Sequence, residues 1–149
     1  MKSSKFIIAA LLMCCGVAAN AKGQAIGTDL IRWLDEGQLV SEAANVFYQH
    51  PLSKSTAAVF TWASGDGDTS MLEGAFKSYR GGYMSGTYLQ VGGALFNLPN
   101  DDEIGLHAAI GYESSPAKGF LFFGTVKATK VLDVDGIGYT PMLGAMFVF

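Results

Sequence analysis

The sequence predicts an all-β fold, an eight-stranded antiparallel up-and-down transmembrane β-barrel. Three observations predict it. Eight short segments alternate apolar and polar residues with period two, and no segment combines 3.6-residue periodicity with both helix caps. Half of the 149 residues are hydrophobic, yet past residue 21 no apolar run reaches the roughly 18 residues of a membrane helix. A membrane chain without such a run must close its strands into a cylinder, because lipid leaves no backbone group unpaired. Finally, the connections between segments alternate in charge along the chain.

Residues 1–21 read as a cleaved signal peptide. Lys2 and Lys5 make a basic start, residues 6–19 are apolar but too short to span as a helix, and Ala19-Asn20-Ala21 supplies small residues for cleavage. Both cysteines, Cys14 and Cys15, lie in this segment. A lipoprotein signal wants small residues before its cysteine, and Leu11-Leu12-Met13 fits that poorly. Residues 22–149 then form one barrel domain with no thiol, which excludes disulfides, thiolate catalysis and cysteine-ligated metals. Of 10 basic and 13 acidic side chains, two bases leave with the signal peptide. The exported chain is acidic, which argues against nucleic acid as a partner.

The predicted strands are residues 25–34, 39–50, 56–64, 71–79, 87–98, 104–113, 120–132 and 137–149. Most are near the ~9–11 residues of a tilted membrane strand. An even number returns both ends to one side. In the first strand Asp29 and Arg32 have opposite parity; we place Asp29 inside and let Arg32 snorkel outward from the strand's end. The fourth strand fixes the phase. Leu72, Gly74 and Phe76 share one face, and Glu73, Ala75 and Lys77 share the other. A lysine facing mid-bilayer lipid would cost about 2–4 kcal/mol, so Glu73 and Lys77 point inward. In the fifth strand Leu89, Val91 and Leu95 face out while Tyr88 and Gln90 do not. Ile104, Leu106, Ala108, Ile110 and Tyr112 form an outward row, with His107 and Glu113 opposite. Phe122, Gly124, Val126 and Ala128 face out, leaving Thr125, Lys127 and Thr129 inside. The last strand turns Tyr139, Leu143, Ala145, Phe147 and Phe149 outward, and Gly138, Thr140, Gly144 and Val148 inward.

The odd connections carry Asp35-Glu36, Asp66 with Asp68, Asp101-Asp102-Glu103, and Asp133 with Asp135; the even ones carry Lys54, Arg80 and Lys118 and no acid. Up-and-down topology explains the sorting, since odd connections share one side of the membrane and even ones the other. Tyr48, Trp62, Tyr112, Phe120, Tyr139 and Phe149 lie near strand ends, where interfacial aromatic girdles belong.

Two parts of the chain carry resemblances to known barrels. The ending Gly144-Ala145-Met146-Phe147-Val148-Phe149 resembles the C-terminal signal by which outer-membrane barrels are recognised for insertion, with Gly144, Phe147 and Phe149 as its marks; Met142 stands at the signal's upstream polar position. The stretch Val46-Phe47-Tyr48-Gln49-His50-Pro51-Leu52-Ser53-Lys54-Ser55 resembles the second strand and turn of small uncharacterised barrels in the OmpA/OmpX-like outer-membrane class. Ser78-Tyr79-Arg80 and Gly86-Thr87-Tyr88-Leu89-Gln90-Val91-Gly92 are similar to another segment of that class. Gln49 replaces an acidic residue of that pattern, so no role of a carboxylate carries over. The resemblance implies location in the bacterial outer membrane, partners in lipid, lipopolysaccharide and the barrel-assembly machinery, and a monomer. It implies no common activity.

The expected interior polar network is Asp29, Glu73, Lys77, Gln90, His107, Glu113 and Lys127. A barrel of eight strands is just wide enough for side chains to fill it, so these groups read as a satisfied filling rather than a channel, with Lys127 pairing Glu73 or His107. Neither histidine makes a convincing catalytic site: His107 lacks a nearby serine and points inward, and His50 precedes a turn. Asp66-Gly67-Asp68-Thr69-Ser70 starts like a calcium loop, but Met71 replaces the turn glycine and Lys77 the closing glutamate. Gly92-Gly93 opens no helix and cradles no phosphate. No catalytic residue, cofactor or metal is expected. The expected role is structural or surface-interacting, without an open pore. The alternatives are a lipid-modifying outer-membrane enzyme, or a soluble periplasmic barrel that binds an apolar ligand and would turn Glu73 and Lys77 outward.

Overall fold

Antiparallel strands hydrogen-bond in chain order, and the last returns to the first to close a barrel. The computed structural model describes residues 23–32, 44–65, 69–99 and 101–149. Residues 1–21, expected to be a signal peptide, the start of the second predicted strand at 39–43, and the loop acids Asp35, Glu36, Asp66 and Asp68 lie outside the described residues. Within them run β1 (Ala25–Asp29), β2 (Ala44–Pro51), β3 (Thr56–Ser64), β4 (Ser70–Tyr79), β5 (Gly86–Asn97), β6 (Asp102–Ala117), β7 (Phe120–Val131) and β8 (Gly138–Val148). No helix among the described residues is long and apolar enough to cross a membrane.

Because side chains alternate faces, a fixed register sorts whole rows across strands. One row runs Ala58, Phe76, Val91, Ala108, Ala128 and Tyr139. It faces outward, with Phe76 45%, Val91 58% and Tyr139 71% exposed. The row beside it runs Ala57, Lys77, Gln90, Ala109, Lys127 and Thr140, and it faces the lumen. Its two lysines are separated by Gln90 and Ala109, which keeps like charges apart.

The interior is filled. Phe47, Val59, Leu121, Phe123, Met142 and Met146 pack with Ala25 on the side of β1, β2, β7 and β8. Ala63, Met71, Ala94, Phe96 and Val131 close the end that carries the acidic connections. Ala57, Tyr79 and Tyr88, with Tyr83 against them, close the other end. The cavity between Lys77, Tyr88, Lys127 and Met142 is only ≈ 10 Å³, the size of about one water.

Three expectations needed correction. The first strand ends at Asp29 rather than at residue 34. Its carboxylate Oδ1 accepts the Ile31 N–H at 3.0 Å, an Asx-type turn that takes the chain out of the ladder. Arg32 therefore does not snorkel outward. Strand parity no longer applies after the turn, and Arg32 is 3% exposed, with Nη1 3.7 Å from Met71 Sδ. Tyr48 does not stand free in a girdle; it is buried, and its hydroxyl donates to Gln24 Oε1 at 2.9 Å. A further difference is the length of β6, which starts at Asp102 and continues past Glu113 through a bulge at Ser114/Ala117.

Candidate functional site: the packed lumen

The ionisable groups that the alternation turns inward meet in three places. The most complete is built by β2, β4, β5 and β6. Lys77 Nζ donates to Glu113 Oε1 at 2.5 Å and to Gln49 Oε1 at 2.7 Å. Gln49 Nε2 donates to the Tyr79 hydroxyl at 2.9 Å, and that hydroxyl donates to Glu113 Oε2 at 2.7 Å. The four side chains make a closed ring of hydrogen bonds. The ammonium also lies 4.2 Å from the centroid of the Tyr88 ring, a cation–π contact that strengthens with desolvation. The Tyr88 hydroxyl is hydrogen-bonded to Thr125 Oγ1.

The second place is near mid-height. Lys127 Nζ donates to Glu73 Oε2 at 2.7 Å. His107 Nε2 lies 3.6 Å from Glu73 Oε1, too far for a hydrogen bond, and 3.3 Å from Gln90 Nε2. The imidazole lies against Gly92, where an added Cβ would meet the ring and Ala75. The close approach of the ring requires glycine there.

The third place is the corner where β1 ends. Arg32 Nε and Asp29 Oδ2 stand 4.0 Å apart. Asp29 Oδ1 also accepts the Leu143 N–H at 3.2 Å. Across the seam the Asn45 side chain replaces a strand backbone: its Oδ1 accepts the Asp29 N–H at 2.7 Å, and its Nδ2 donates to the Asp29 carbonyl at 3.0 Å.

All seven expected network residues, Asp29, Glu73, Lys77, Gln90, His107, Glu113 and Lys127, are buried. The fold brings Lys77 to Glu113, joins Glu73, Lys127, His107 and Gln90, and sets Asp29 apart at the corner. Reasoning from sequence missed Gln49, Tyr79 and Asn45 as members. The signal for Tyr79 was its parity with Glu73 and Lys77; Gln49 was visible only as a replaced carboxylate. Among the buried side chains three carboxylates (Asp29, Glu73, Glu113) face three cations (Arg32, Lys77, Lys127). An acid at position 49 would break that balance, whereas glutamine accepts from Lys77 without adding charge.

Gly144 is buried; a Cβ there would meet the Thr28 carbonyl and the Phe123 ring. Phe147 and Phe149 are 51% and 45% exposed on the outer wall, and Phe147 meets Phe120 edge-on at 5.8 Å. At the same end Tyr83 reaches under the barrel and donates to the Gly23 carbonyl at 2.6 Å; burial pushes its phenol above the ordinary range. Among the described residues no group of three or more potential metal ligands comes together.

Fold and lumen together define a closed eight-stranded antiparallel barrel whose interior is packed, polar and charge-balanced. No known protein family, curated protein or solved structure was found to match the chain.

Proposed function

We propose that this chain is a small integral outer-membrane barrel of the bacterial envelope, exported by its signal peptide. Its role is structural or surface-interacting, and it has no open pore. The observation that carries this reading is the division of the two faces. Large apolar side chains such as Leu89, Val91, Leu106, Ile110, Phe122 and Leu143 are roughly half exposed or more, while Glu73, Lys77, Glu113 and Lys127 are 3% exposed or less. That is the reverse of a water-soluble barrel, whose polar residues face out. The inward Glu73 and Lys77 also favour this reading over a soluble barrel with an apolar lumen.

The scale fits a bilayer. The 12 residues of β5, at about 3.3 Å each and tilted about 40°, rise about 30 Å, beside an apolar band of about 25 Å in such barrels. A filled lumen supports a role without conductance. His107 is buried and faces the lumen, and His50 sits at the rim with its ring beside Tyr48, so the geometry offers the lipid-modifying alternative little. The marks Gly144, Phe147 and Phe149 fit recognition by the barrel-assembly machinery.

Protein extracted from outer membranes should migrate faster unheated than boiled on a detergent gel, and should add no conductance steps to a planar bilayer. Migration independent of heating, with partition into the aqueous phase of a detergent extract, would overturn the proposal.

A further inference from the structure

The two rims of the barrel carry opposite charge. Alternating topology puts the turns at 52–55, 80–85 and 118–119 at one end. They hold Lys54, Arg80 and Lys118, all exposed, and no acidic side chain; Phe149 ends beside Gly23 at the same rim. The other end carries exposed Asp101, Asp102, Asp133 and Asp135.

The rim cations differ from those in the lumen. Lys77, Lys127 and Arg32 each face a buried carboxylate. Among the described residues Lys54, Arg80 and Lys118 form no salt bridge, so their charge is free to meet an outside anion. The chain also keeps them close to the wall. Arg80 directly follows the end of β4 and Lys118 the end of β6; the connection after β6 is only Lys118-Gly119. Lys54 is tied down, since its carbonyl accepts the Tyr83 N–H at 2.8 Å. No long loop carries the charges beyond the ~8 Å over which salt screens them. Just above them the outer wall bears Tyr112, Phe120 and Phe147, 58%, 50% and 51% exposed, the amphipathic level where headgroups meet acyl chains.

We propose that this rim binds anionic phospholipid headgroups of the leaflet it faces, with Lys54, Arg80 and Lys118 as the contacts. The inference rests on the membrane reading above and adds the lipid class and the end that recognises it. The cations attract the phosphate–glycerol charge, the acidic rim repels it, and the barrel acquires a preferred orientation. Each contact is an exposed ion pair, worth about two- to fivefold in association.

The test is the association of spin-labelled phosphatidylglycerol, relative to spin-labelled phosphatidylcholine, with the full chain reconstituted in phosphatidylcholine. The wild type should favour phosphatidylglycerol by about twofold or more at low salt. High salt, or the triple variant K54Q/R80Q/K118Q, should abolish the preference, and D133N/D135N should leave it intact. Equal association of both lipids with the wild type, or a preference unchanged in the triple variant, would overturn the inference while leaving the membrane reading standing. A protein that immobilises neither lipid would instead overturn the membrane reading, and this inference with it.

Discussion

The Lys77 cluster and the Asp29 corner each bury a carboxylate beside a cation, but they do different work. Lys77 and Glu113 touch at 2.5 Å, with Gln49 and Tyr79 completing the ring. That contact ties β2, β4 and β6, strands that are not neighbours in the wall. At the corner the charges are 4.0 Å apart and three residues apart in sequence. There the carboxylate is spent on backbone N–H groups, ending β1 and holding it to β8. The same residue types clamp the barrel across its lumen in one place and shape a chain turn in the other. The difference lies in whether the cation reaches its partner with hydrogen-bond geometry.

That contrast can be broken from the clamp side first. Lys77→Met leaves Glu113 charged and buried without its cation, a loss of about 3–5 kcal/mol. The double variant K77M/E113L removes both charges and should recover much of that loss. The measurement is urea midpoint followed by heat-modifiable migration; a double variant as unstable as the sum of its singles would show that the two groups act independently. Next, Gly144→Val forces a side chain onto the Thr28 carbonyl and Phe123, and overpacking of this kind costs about 1–3 kcal/mol. It should also loosen the seam between β1 and β8, seen as faster exchange of the Leu30 amide, which donates to Leu143.

Tyr79→Phe removes the donor to Glu113 Oε2 and the acceptor for Gln49, at about 1–3 kcal/mol for buried polar atoms left unpartnered. The smallest effect belongs to the corner. Asn45→Ala removes the side chain that stands in for ladder bonds to Asp29, at about 1 kcal/mol. Its expected signature is local: exchange of the Asp29 amide accelerates while the global midpoint barely moves. A midpoint shift as large as that of Lys77→Met would erase the distinction between clamp and corner.

What the sequence made legible follows the same line. The phase of each strand from β4 onward could be argued from its own residues, Glu73 and Lys77 in β4, His107 and Glu113 in β6 and Lys127 in β7, because alternation holds along a strand. The bounds expected for β3 coincide with Thr56–Ser64, where Thr56, Val59, Phe60, Thr61 and Trp62 favour a strand and turn residues flank both ends. The end of β1 was not legible. Alternation does not signal the turn in which Asp29 accepts the Ile31 N–H, and Asn45 and Leu143, which also hold Asp29, approach it only after the barrel closes. Arg32 went astray for the same reason, since its parity was counted along a strand that had already turned. The partners of Lys77 were hidden too; Gln49 and Glu113 lie 28 and 36 residues away in sequence, and only the closed register brings them across the lumen.

The central claim is that greasy residues coat the cylinder and ionisable ones fill it. Cysteine scanning of β6 tests it most directly, since Cys14 and Cys15 are the chain's only cysteines and leave with the signal peptide by this reading. Spin labels at Ile104, Leu106, Ala108, Ile110 and Tyr112 should collide with oxygen dissolved in the bilayer, and labels at Gly105, His107, Ala109, Gly111 and Glu113 should not. Accessibility that rises and falls every second residue in this phase is the predicted result. A flat profile, or the opposite phase with His107 and Glu113 in contact with lipid, would contradict the account.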